Sequence, residues 1–167
     1  MKINIEIERS LLVDLPVKQV RMLIDEVEPT LGRFPKLKKL TRLGPDQYLS
    51  ELKAIGSSIA NIAHEVSYGA RYRRSADGLA LNWDAIPGQG NASISGSLSV
   101  AEKKTGSEIR FKVKGELRDV PVPLMYRLAA APFIQGKFAH LIDIYLELTR
   151  DALLEPAAPA AKKKATR

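Results

Sequence analysis

Apolar residues recur along this chain in two periods, and the changes between them mark out its elements. In residues 2–13 they alternate: Ile3, Ile5 and Ile7 fall on one side, Asn4, Glu6 and Glu8 on the other. That is a strand with one dry face. Pro16 ends it, with Asp14 as a candidate cap. Val17, Val20, Leu23, Ile24 and Val27 then repeat at helical spacing until Pro29 and Gly32, and residues 30–34 read as a turn or a second small helix. Alternation returns at 36–43, 47–55, 59–74, 79–84, 91–100 and 107–117. Turn residues separate these runs, including Gly44-Pro45-Asp46, Gly56-Ser57-Ser58 and Asp77-Gly78. The last stretch, 123–154, is helical again. Ile134, Phe138, Leu141, Tyr145, Leu148 and Ala152 form one stripe, widened by Ile142 and Leu146, with Lys137, His140, Asp143 and Glu147 opposite. Pro132 lacks an N–H, so a kink or break is expected there, with a first helix near 122–130 and a longer one from 132.

The order is strand, helix or helix pair, six strands, long helix. This is an α+β arrangement in which a curved antiparallel sheet of about seven strands wraps the closing helix, with the first strand paired to the last. Residues 1–155 form one domain. Residues 156–167 are Ala, Pro and Lys with no apolar period, and are expected to be a disordered tail.

Three stretches carry a likeness to a known family: IERSLLVDLPVKQVRMLIDEVEPTLGRFPKLKKL, the strand GSEIRFKVKGEL, and the long closing helix. Together they resemble the START-like, or SRPBCC, helix-grip superfamily, which includes polyketide cyclase-like proteins. Pro16, Val20 and Pro35 fit its proline-led helix and second strand. The resemblance runs to about Leu154 and is one of element order, so it bears on fold more than on activity. It implies a cavity between the sheet and the last helix for an apolar ligand, a small molecule or a lipid. The branch of that superfamily associated with carbon-monoxide dehydrogenase suggests docking on a membrane or complex.

Charge narrows the partners. The net charge is +7, but Lys162, Lys163, Lys164 and Arg167 remove four of those charges from the body. Arg71, Arg73 and Arg74 read as a solvated strand face, and aromatic and basic residues are not interleaved, so nucleic acid is not an expected partner. There is no cysteine, and the two histidines are distant, so no metal or other cofactor is expected. The first residues lack the apolar core of a signal peptide and no run is long enough to span a bilayer, so the expected location is cytoplasmic.

Sorting strands by alternation gives inward sets of Tyr48, Leu52 and Ala54; Ile62, His64, Val66, Tyr68, Ala70 and Tyr72; Leu79, Leu81 and Trp83; and Ile109, Phe111, Val113 and Leu117. The candidate ligand-contacting residues are Tyr48, His64, Tyr68, Trp83, Phe111, Met125 and Phe138. His64 supports three readings: a polar anchor for a ligand, a general base, or a core histidine bonded to a tyrosine or carbonyl. The aromatics read equally well as core. Binding of an apolar molecule without catalysis is the leading function. A cyclase- or dehydratase-like enzyme, with His64 and a tyrosine moving protons, and a docking protein are the alternatives.

Overall fold

The computed structural model describes residues 1–57 and 62–155. Seven strands form one antiparallel sheet: β1 (Ile3–Val13), β2 (Leu37–Gly44), β3 (Gln47–Ser57), β4 (Ile62–Arg74), β5 (Ala80–Gly90), β6 (Ala92–Lys103) and β7 (Gly106–Leu117). Their order is β1-β7-β6-β5-β4-β3-β2, so the first strand pairs with the last, Ile3 opposite Leu117 and Val13 opposite Ser107. Short helices α1 (Val17–Val20), α2 (Met22–Asp25) and α3 (Val27–Gly32) lie between β1 and β2, and α4 (Arg127–Leu154) closes the chain. The sheet curls around α4, whose Ile134, Phe138, Leu141, Ile142, Tyr145 and Leu146 are buried with the dry faces of the strands. The expected tail from Pro156, and the start of the fourth strand at Ile59, lie outside the described residues.

The helix also covers a sheet edge. The β1 edge would leave N–H groups open. Gln135 Oε1 accepts from the Glu6 N–H at 3.1 Å, and Arg9 Nε donates to Asp143 Oδ1 at 3.0 Å.

Several local expectations are corrected. The helix expected over 17–27 is three short pieces: a turn-like Arg21 (φ −64°, ψ −8°) separates α1 from α2, and Glu26 leaves helical backbone (φ −109°, ψ 82°) between α2 and α3. Arg74 donates to the Ile24 and Asp25 carbonyls at 3.1 and 2.7 Å, filling acceptors that a continued helix would have used. Arg74 is exposed, as Arg71 and Arg73 are, and also acts as a clamp. A 3-10 turn (Leu124–Tyr126) precedes α4, and α4 runs unbroken through Pro132. Pro132 and Leu128 are both exposed, so water can serve the carbonyl that loses its donor. The buried stripe moves from Tyr145 to Thr149 and leaves Leu148 43% exposed. Alternate steps of four and three average 3.5 residues and drift off the face of a straight helix. In β3 a register shift between Leu52 and Ile55 turns Ala54 outward and Ile55 inward. Finally, β5 runs to Gly90, where a loop from Pro87 was expected. Between Ala85 and Gly90 it bulges away from β4, and Gly90, at φ 74°, brings the backbone back against Ser67.

Candidate functional site

Between the inner face of the sheet and α4 lies a cavity of about 50 Å³. Its apolar wall comes from β1 (Ile5), β3 (Leu52), β5 (Leu81), β6 (Ile94, Leu98) and β7 (Val113), with Phe138 and Ile142 of α4 opposite. Leu31, Phe34, Leu37 and Tyr68 line it while only half-buried, and mark where it approaches the surface.

A continuous run of aromatic contacts crosses this region. Ring centroids are 6.0 Å apart for Tyr48–Tyr72, 5.5 Å for Tyr72–Trp83, 5.7 Å for Trp83–Phe111, 5.6 Å for Phe111–Tyr145 and 5.6 Å for Tyr145–Phe34. The tilted and edge-on geometries are those that aromatic quadrupoles favour. Trp83 on β5 reaches Phe111 on β7 across the intervening β6. It can do so because Trp83 pairs with Gly96, where a Cβ would meet the indole at 2.7 Å and the Lys112 carbonyl at 2.3 Å. Only glycine leaves that space.

Polar groups at the cavity are few and uncharged. The Ser50, Tyr68 and Tyr72 hydroxyls form a hydrogen-bonding group on β3 and β4. Burial holds the Tyr68 phenol above its ordinary pKa, and Tyr72 well above it. Burial pushes Tyr145 up to about 12. All three are phenols at neutral pH, able to donate. Tyr145 donates to the Thr30 carbonyl at 2.9 Å, and Thr30 donates to the Leu23 carbonyl at 2.7 Å, which ties α4 to the α2–α3 segment. The buried Trp83 indole nitrogen has no partner among the described residues.

Of the residues expected to contact a ligand, Tyr68, Trp83, Phe111 and Phe138 line the cavity, whereas Tyr48, His64 and Met125 do not. Tyr48 is buried at the far side of Tyr72, with its phenol held up by burial and by the neighbouring Glu28. His64 sits where β3 and β5 are both irregular. Its Nε2 lies 3.3 Å from Asn91 Nδ2, and the Arg118 backbone is its other partner. Burial, the dominant influence, lowers its pKa. Asn91 also donates to the Glu65 carbonyl and accepts from the Ser67 N–H, so His64 belongs to a clamp joining β4 to the β5–β6 turn. Met125 is 81% exposed, because the 3-10 turn carries it outside the sheet's wrap.

Ser50 also lines the cavity, and its register between the inward Tyr48 and Leu52 is the sequence signal for it. Leu31 and Phe34 line it too, and they continue the spacing from Val27. Among the described residues no cluster of three or more His, Cys, Asp or Glu could hold a metal, and no helix is long and apolar enough to cross a membrane.

A curled seven-stranded antiparallel sheet gripping a long C-terminal helix is the helix-grip fold. Solved structures with this fold that align with the chain include aromatase/cyclases. The solution structure of KanY aligns with a TM-score of 0.63 at 12% identity, over 91% of this chain and 99% of that one. The Zhui aromatase/cyclase from a Streptomyces species aligns with a TM-score of 0.60 at 11% identity, over 90% and 93%. The di-domain aromatase/cyclase StfQ, from the steffimycin biosynthetic pathway, aligns at 0.58 and 13%, with 89% of this chain matching 50% of that one. Identities this low speak to fold alone. No protein-family model and no curated protein matches the chain by sequence.

Proposed function

We propose that the protein binds an apolar small molecule between the sheet and α4. The observation that carries this reading is the aromatic-walled cavity, built from all seven strands and the helix and bordered by half-buried residues. A dry engineered cavity of about 150 Å³ holds benzene. The space here is about 50 Å³, so a ligand of that size requires the lining side chains at the half-buried border to give way, and a small molecule suits the site better than a lipid chain. The cavity lining has no carboxylate, imidazole or amine. Cyclase-type proton abstraction would rest on a buried phenol, which stays protonated at neutral pH when its pKa is raised and so has no basic oxygen to offer. This favours binding over catalysis. The test is uptake of a fluorescent apolar probe by the parent and by Val113→Phe, which fills the cavity. Uptake should fall at least tenfold in the variant while the fold is retained. Absence of uptake by the parent, or equal uptake by both, would sink the reading.

A second reading rests on a different observation. Leu124, Met125 and Leu128 are 81%, 81% and 99% exposed beside the exposed Arg127. Apolar side chains next to a cation suit docking on an anionic membrane surface. Co-sedimentation with phosphatidylserine vesicles, lost in Leu128→Asp, would support it; no sedimentation of the parent would end it.

A further inference from the structure

The Trp83 indole is 6% exposed, forms part of the cavity wall, and has a buried nitrogen with no hydrogen-bond partner among the described residues. An indole N–H can only donate, and buried donors are rarely left without an acceptor. The ring cannot readily swing to find one. Tyr72 and Phe111 hold it from two sides at 5.5 and 5.7 Å, and it lies against the gap at Gly96. The neighbouring Ser50, Tyr68 and Tyr72 hydroxyls are already engaged with one another.

We infer that the cavity selects an uncharged apolar molecule bearing a carbonyl or another neutral acceptor, which accepts a hydrogen bond from the Trp83 indole N–H. The inference rests on the cavity-binding reading and adds the chemical class of ligand. A hydrocarbon of the same shape would fill the space and leave the donor unpaired. A carboxylate would satisfy the donor, but its charge would be buried against a lining without a cationic partner. A neutral acceptor avoids both costs.

Trp83 is the chain's one tryptophan, so one indole N–H signal reports on the contact by NMR. The probes are acetophenone, its hydrocarbon isostere α-methylstyrene, and benzoate. Acetophenone should move the indole N–H signal downfield in a saturable titration. α-Methylstyrene should bind without that downfield shift, and benzoate should not bind. In Trp83→Phe, acetophenone affinity relative to that of α-methylstyrene should fall about tenfold. If both neutral probes bind but the indole signal responds to them equally, the inference is overturned and the cavity reading stands. If neither binds, both are overturned. Should Trp83→Phe fail to fold, the titration of the parent chain decides alone.

Discussion

The two ends of the segment that closes the fold are equally apolar and built in opposite ways. Leu124, Met125 and Leu128 stand out in solvent, while Ile142, Tyr145 and Leu146 are 1%, 3% and 3% exposed. Helical propensity does not distinguish them. The second group faces the curled sheet, and Tyr145 is further held by its bond to the Thr30 carbonyl. The first group precedes the sheet's wrap and meets no opposing surface. A hydrophobic side chain contributes to stability only where another surface covers it. The anchored half of α4 is thus the fixed wall of the cavity, and the approach to α4 is held by fewer contacts.

The largest expected effect is on the anchored half. Ile142→Ala should lower stability by about 2–5 kcal/mol, through lost burial and the space left behind. Leu128→Ala should stay within about 0.5 kcal/mol. Urea midpoints measure both, and similar losses for the two would erase the contrast.

The sheet side of the same packing is probed at Gly96. Gly96→Ala places a methyl against the Trp83 ring and the Lys112 carbonyl, so a cost of about 1–3 kcal/mol and a changed tryptophan emission are expected. Unchanged emission would mean the indole does not rest against that gap.

Tyr145→Phe isolates the polar part of the anchor. It keeps the ring contacts with Phe34 and Phe111 and leaves the Thr30 carbonyl without its donor. The expected loss is about 1–2 kcal/mol by denaturant titration. No loss would place the anchoring wholly in apolar packing.

The smallest effect is at the other end, where His64 joins Asn91 and the Arg118 backbone near Asp119, Glu65 and the N-terminus. Its pKa is lowered in the fold from an unfolded value of about 6.5. The unfolded chain therefore binds the proton more readily. The contribution of His64 is complete above about pH 6.5 and is lost as pH falls through the lowered folded value. Melting temperatures between pH 7.5 and 5 should fall more steeply for the parent than for His64→Gln. Parallel curves would remove His64 from the pH response.

Alternation of single residues and the helical stripe made the order of elements, the sheet's dry face and the gripped helix legible in the sequence. These patterns are local: a strand's side-chain period or a helix's apolar face follows from the backbone geometry of that segment. They also bring Tyr68, Trp83, Phe111 and Phe138 to one side of the sheet or helix, and the structure has all four in the cavity wall. The tertiary structure alone decided the rest. Ile55 replaces Ala54 in the core because β3 shifts register against β4. His64 lies away from the cavity lining and in a clamp because Asn91, distant in sequence, arrives beside it. Trp83 spans β6 because the residue opposite is glycine. Met125 stays outside because the sheet ends before reaching it. Each outcome depends on which surface lies opposite a residue, and that is set by pairing and packing between segments far apart along the chain.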